Sequence, residues 1–162
     1  MTGELIVIGV GNPYRRDDGV GPAVVELLRE QGVPGAVLAT SLGETDQLID
    51  LWDGVSLAIV VDAVRAVPAH PGRVHRLAVP RGGGERARAA SSHGIDLGEA
   101  VELARELGRL PERLVLYAVE VDELGHGVGL TPAVRHAAQR LAEDIAVVAQ
   151  ATQQARARAV PA

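Results

Sequence analysis

Two carboxylates and an imidazole in this sequence could bind a divalent metal ion together. Asp17 and Asp18 follow an apolar run at residues 5–10, Asp62 lies at the end of the apolar segment "LAIVVDAV", and His93 opens a segment with helical spacing. Carboxylate and imidazole ligands suit divalent first-row metals, and three of them leave coordination positions open for a second molecule. The pattern therefore predicts a metal site that uses one of the paired aspartates, Asp62 and His93.

Each of these residues also has an ordinary structural explanation. Aspartates at the start of a helix accept backbone N–H bonds, and an aspartate at the end of a strand can cap the following turn. A lone histidine such as His93 is more often a capping or surface residue than a ligand. His126, in a loop before the last predicted helix, is a second candidate ligand. From residue types and spacing alone, both explanations stay open.

The composition excludes several classes of chemistry. All sixteen basic residues are arginine and there is no cysteine, so lysine Schiff bases, a P-loop lysine, thiolate nucleophiles and cysteine metal sites are ruled out. The G-x-S-x-G and H-E-x-x-H motifs are also absent from the sequence. A net charge of −5 with scattered arginines argues against a nucleic-acid partner. In "GVGNPYRRDDGVG", Tyr14 stands where a dinucleotide fingerprint needs its third glycine, which weakens a nucleotide-binding hypothesis.

Short apolar runs alternate with stretches of helical spacing, which predicts a three-layer α/β sandwich with a mostly parallel sheet. The predicted strands are 5–10, 36–42, 56–64, 72–80 and 113–121, and the predicted helices are 20–31, 44–53, 97–107 and one from Pro132. Segment 72–80 alternates apolar and polar residues, as expected for an antiparallel edge strand. Ligands of such sheets bind beyond the carboxyl ends of the strands, where we expect the candidate residues to meet.

The chain length predicts a single domain, which we assign to residues 1–150. The helical period fades after residue 150, so we expect a frayed tail at 151–162 and a loop in the glycine-rich segment 81–92. Thr131 before Pro132 predicts a capping hydroxyl at the start of the last helix. The sequence has no basic leader and no apolar run long enough to span a membrane, which predicts a soluble cytoplasmic protein with no membrane partner.

Four segments, in order and over nearly the whole chain, resemble the hydrogenase maturation endopeptidase family: "IVIGVGNPYRRDDGVG", "IVVDAV", "SSHGIDLGEAVELA" and "HGVGLTPAV". The resemblance implies an α/β sandwich with a five-stranded twisted sheet. It also implies an endopeptidase that removes a short C-terminal peptide from the large-subunit precursor of nickel-iron hydrogenase, after nickel insertion.

The resemblance further implies which residues would contact the metal, namely Asp18, Asp62 and His93. The family usually has glutamate at the first position, so Asp18 is one methylene shorter. Gly43 falls in a loop associated with substrate selection, and Asn12 is expected to contact substrate as well. The implied metal is nickel carried by the substrate, and zinc or cadmium could occupy the same site.

Two routes to peptide cleavage stay open. In one, the substrate's nickel docks on Asp18, Asp62 and His93 and polarises the scissile carbonyl or activates water. In the other, Asp18 and Asp62 share a proton and act as acid and base. A different class of function is a non-catalytic checkpoint module that binds the nickel-loaded precursor, and a nucleotide-binding enzyme ranks third.

Overall fold

The computed structural model describes residues 5–81 and 97–161. The strands are β1 (Leu5–Val10), β2 (Ala36–Ser41), β3 (Leu57–Arg65), β4 (Val74–Val79) and β5 (Arg113–Val121). The helices are α1 (Val20–Gln31), α2 (Thr45–Trp52), α3 (Gly98–Glu106) and α4 (Pro132–Ala159), with a 3₁₀ turn at Arg16–Gly19 before α1. No helix among these residues is long and apolar enough to cross a membrane.

The five strands form one sheet in the order β2-β1-β3-β5-β4. Strands β2, β1, β3 and β5 are parallel to one another, and β4 runs antiparallel to β5 at one edge of the sheet. The predictions of a mostly parallel five-stranded sheet with an antiparallel edge strand are therefore confirmed. The chain leaves β1 toward β2 on one side and returns to β3 on the other, so the strand order reverses at β1 and β3. In open sheets this reversal marks the usual crevice for a ligand.

Helices cover both faces of the sheet, which explains why β1 is apolar throughout. Ile6 and Ile8 face a core formed with α2 and α3, whereas Leu5 and Val7 face a second core formed with α1 and α4. Successive strand residues point to opposite faces, so a strand covered on both sides has no polar face.

Two glycines bring the start of α1 against the carboxyl ends of the central strands. A Cβ on Gly21 would lie 2.5 Å from the carbonyl oxygens of Val10 and Val61, and one on Gly9 would lie 2.3 Å from the carbonyl oxygen of Gly21. Side chains at these positions would push α1 away from the sheet. The glycines therefore allow the loop between β1 and α1 to sit directly over the crevice.

One predicted boundary was wrong. The last helix does not fade at residue 150 into a frayed tail at 151–162, because α4 continues to Ala159. Residues 151–159 contain only alanine, glutamine, arginine and threonine, and the first three favour helix even without an apolar face. Strand β3 (Leu57–Arg65) agrees with the predicted strand 56–64 to within one residue at each end, and Asp62 lies inside it, three residues before its end. The predicted loop at 81–92 lies outside the described residues, apart from Arg81.

Candidate active site

Asp18 is held by its own loop, at residues 11–19. The backbone N–H of Asn12 donates to Asp18 Oδ2 over 2.8 Å, and the N–H of Asp18 donates to the carbonyl oxygen of Arg15. Asp18 is half-buried, and its Oδ1 atom has no hydrogen-bond partner within the described residues. Helix α1 begins after Gly19 without a side-chain cap. The helix-capping explanation of Asp18 therefore does not apply.

Asp17, the neighbouring aspartate, has a structural role. Its side chain is buried, Oδ1 accepts the backbone N–H of Thr131 over 2.7 Å, and Oδ2 accepts the Thr131 hydroxyl over 2.8 Å. The prediction that the Thr131 hydroxyl caps α4 was wrong, because the hydroxyl donates to Asp17 and makes no cap bond. The two adjacent carboxylates thus have different partners.

The loop that follows β5 joins this arrangement through the backbone. Arg16 N–H donates to the carbonyl oxygen of Gly127 over 3.0 Å, and Gly127 N–H donates to that of Tyr14 over 2.9 Å. The loops after β1 and β5 therefore form one continuous wall at the carboxyl edge. His126, the second candidate ligand, is exposed in this wall.

Asp62 lies at the same edge, on β3. The last pair between β1 and β3 is Gly9 with Val61, so Asp62 is the first residue of β3 that no longer pairs with β1. Asp62 is half-buried, and its Oδ1 accepts the backbone N–H of Ala63 over 2.8 Å. The 3₁₀ turn that carries Asp18 packs against β3. The structure therefore brings the turn of Asp18 to the strand of Asp62.

The third predicted ligand, His93, lies outside the described residues. Within the described part of the chain, no three histidine, aspartate or glutamate side chains are grouped closely enough to hold a metal ion. Asp18 and Asp62 supply oxygen donors of the kind that divalent metals accept. A complete three-ligand site would thus need a donor from elsewhere, either His93 or the bound substrate.

Gly43 and Asn12 flank this edge. Gly43 has a φ of 97°, a left-handed conformation that favours glycine, and its N–H donates to Ser41 Oγ. Beside it lies a groove of about 320 Å³, with Gly11, Leu42 and Gln47 among its lining residues. Asn12 is tied to Asp18 by its backbone and to Tyr14 N–H by its side chain. Asn12 therefore shapes the loop in addition to any contact with substrate.

Exposed hydrophobic side chains surround the edge. Among the described residues, the four most exposed large hydrophobic side chains lie on the four loops that follow the parallel strands, and we call them the rim: Tyr14 (70%), Leu42 (69%), Val67 (101%) and Val128 (70%). Clustered exposed apolar residues are typical of protein-binding surfaces. The rim therefore places one exposed hydrophobic side chain on each loop at the carboxyl edge of the sheet.

A second polar cluster, which the sequence pattern did not predict, surrounds Glu120 on β5. The residue is 2% exposed, and its Oε2 lies 2.7 Å from His75 Nε2 on β4. This hydrogen bond from His75 holds the pKa of Glu120 below its ordinary value, although burial acts in the opposite direction. The available signal was a glutamate inside the apolar run "LVLYAVEV", next to a predicted strand that contains a histidine.

The chain is similar to known proteins in sequence and in fold. Residues 23–148 match the family described as hydrogenase maturation protease. The chain is 31% identical over 153 residues to the hydrogenase expression/formation protein HupD of Thiocapsa roseopersicina, covering 86% of this chain and 68% of that protein. It is 25% identical over 143 residues to the hydrogenase 2 maturation protease of Escherichia coli K12, covering 81% of each. The solved structure of the hydrogenase maturating endopeptidase HybD from E. coli is similar with a TM-score of 0.71 and 25% identity, covering 94% of both chains.

Proposed function

The chain belongs to the hydrogenase maturation protease family and is a peptidase, and from this premise we propose that it removes the C-terminal extension of a nickel-iron hydrogenase large-subunit precursor. In this proposal cleavage follows nickel insertion, and nickel is part of the substrate. Of the relatives named above, the two from E. coli are described as a maturation protease and a maturating endopeptidase of hydrogenase, and HupD as a hydrogenase expression/formation protein. The resemblance of the sequence motifs supplies the substrate class.

The observation that carries the proposal is the placement of two half-buried carboxylates at one sheet edge inside a hydrophobic rim. Asp18 has one oxygen held by the backbone N–H of Asn12, and its other oxygen accepts no hydrogen bond from the described residues. Asp62 lies on the strand against which the turn of Asp18 packs. A folded precursor would bind on the rim and present its nickel to these carboxylates, with His93 as the third protein ligand.

Hydrolysis then requires water to attack the scissile carbonyl carbon, the C–N bond to break, and the leaving amine to gain a proton. Asp18 and Asp62 would hold the substrate's metal so that it polarises that carbonyl or activates the water. We favour this route over proton sharing between the two aspartates. The chain has no cysteine, so any thiolate ligands that select nickel must come from the substrate.

The test is cleavage of the cognate large-subunit precursor by the purified protein, with product masses measured for nickel-loaded and nickel-free substrate. We expect release of a C-terminal peptide from the loaded precursor alone. Asp18→Asn and Asp62→Asn should abolish release, whereas Asp18→Glu should preserve it because the longer carboxylate reaches the same metal. Asp144→Asn, on the exposed face of α4, is the matched control and should cleave normally.

Three results would contradict parts of the proposal. Equal cleavage of both substrates would overturn nickel gating. Full activity in Asp62→Asn would overturn both the metal route and the paired-carboxylate route. Tight binding of loaded precursor without any peptide release would instead favour the checkpoint module over an endopeptidase acting on this substrate.

A further inference from the structure

A second groove opens beside Asp62, between the end of β3 and the edge strand β4. It has a volume of about 620 Å³, within the usual range of ligand sites. Its floor includes Val64, two residues beyond Asp62 on the same face of β3, and Ala118, which is the β5 partner of Asp62 in the sheet register. A polypeptide that crosses the edge at Asp62 would therefore extend directly into this groove.

The groove carries positive charge, although the chain as a whole has a net charge of −5. Its basic lining residues are three arginines and two histidines: Arg65, Arg73, Arg76, His70 and His75. The acidic residue among the lining residues is Glu120, whose charge is engaged by His75 at 2.7 Å and Arg73 at 3.8 Å. Arg65 and Arg76 are exposed and form no ion pair within the described part of the chain. No carboxylate of the described residues therefore neutralises the charge of these two arginines.

Glu120 also holds the wall of the groove in place. Its Oε1 accepts the backbone N–H of His70 over 3.1 Å. Its backbone accepts from Gly72 N–H over 2.9 Å and donates to the carbonyl oxygen of Arg73 over 2.8 Å. The loop between β3 and β4 is thereby fixed against β5. Arg73 lies on this loop, whereas Arg65 and Arg76 lie on the two strands that the loop connects and are held by their pairing with β5.

We propose that this groove binds acidic side chains of the polypeptide segment that flanks the scissile bond. The inference rests on the proposed function, because that function makes a polypeptide pass Asp62. Aliphatic residues of the floor suit the apolar parts of such a segment, and Arg65 and Arg76 recognise its carboxylates. The ligand is therefore an acidic peptide segment, and the groove adds substrate selection to the carboxylate site.

Peptide binding tests the groove without any cleavage. The probe is a fluorescein-labelled heptapeptide that contains three glutamates. Its N-terminus is acetylated and its C-terminus is amidated, so that apart from the dye its only carboxylates are the glutamate side chains. The control peptide has glutamine in place of each glutamate. By fluorescence anisotropy at low salt, we expect the glutamate peptide to bind about tenfold more tightly, and about 0.5 M salt to remove the difference. Equal binding of the two peptides would overturn the proposal.

Paired variants locate the binding surface. The double variant Arg65→Gln/Arg76→Gln should lose the preference for the glutamate peptide, whereas Arg140→Gln, on the exposed face of α4, should keep it. An unchanged preference in the double variant would also overturn the proposal. In the precursor assay the double variant should raise KM about tenfold and leave kcat unchanged. If the wild-type protein cleaves no precursor, the proposed function fails while the peptide result still decides the groove.

Discussion

Replacing Asp17 tests whether the first of the paired aspartates is structural. Asp17→Ala removes two hydrogen bonds to Thr131, of 2.7 and 2.8 Å, from a side chain that is 1% exposed. A hydrogen bond to a charged group contributes about 1.5–3 kcal/mol, and the two share one carboxylate, so they do not add fully. The substitution also leaves the N–H and hydroxyl of Thr131 unpaired. We expect a loss of about 3 kcal/mol in the free energy of unfolding.

Asp17→Asn should lower the free energy of unfolding far less than Asp17→Ala does. Its amide oxygen can accept the Thr131 N–H, and its amide group can donate to the Thr131 hydroxyl, so both contacts survive without the charge. We expect a loss of about 1 kcal/mol. For a chain of this length, 1 kcal/mol corresponds to about 2–4 °C in Tm, so the alanine variant should melt about 6–12 °C below the wild type.

The assay is urea unfolding followed by circular dichroism, with thermal melts in parallel. Asp144→Ala, an exposed aspartate on α4, is the control and should change stability by less than about 0.5 kcal/mol. The reasoning is refuted if Asp17→Ala is as stable as this control. It is also refuted if Asp17→Asn loses precursor cleavage without losing stability, since that would place Asp17 in the chemistry alongside Asp18.

Three further substitutions or deletions test the fold. Glu120→Gln should lower the free energy of unfolding by its full amount above about pH 5, and this difference from wild type should vanish as the pH falls below 4.5, because His75 lowers the pKa of Glu120 in the folded state. Urea unfolding at pH 7 and pH 3 measures the difference. The same difference at both pH values would refute the prediction. Gly21→Ala should lower the free energy of unfolding by about 3 kcal/mol, because the added Cβ would lie 2.5 Å from two carbonyl oxygens of the sheet. Its control is Gly125→Ala, where the nearest atom to the added Cβ is 3.9 Å away, and the same measurement should show a loss under about 1 kcal/mol. Deleting residues 151–162 should reduce the helical circular dichroism signal and lower stability by about 1 kcal/mol or less, since most of these side chains are exposed; an unchanged signal would mean that α4 ends near residue 150 in solution.

Local patterns in the sequence were enough to predict the layers of the fold. Strands β1 and β3 are apolar on both faces because each face is covered by helices, and β4 alternates because it lies at the edge. These periodicities follow directly from which side of an element meets water. The same patterns placed Asp18 and Asp62 at strand ends, and the parallel sheet brings such ends to one edge.

Contacts between distant residues were decided only by the tertiary structure. Asp17 and Asp18 are adjacent and chemically identical, yet only Asp17 pairs with Thr131, which is 114 residues away. Glu120 is buried because His75 from a neighbouring strand supplies a hydrogen bond. Periodicity reports the burial of an element's face, but the partner of a buried charge depends on strand order and register. For this protein the sequence itself determined the architecture and the candidate carboxylates, whereas packing decided that Asp17 is held by Thr131 and that Asp18 is not.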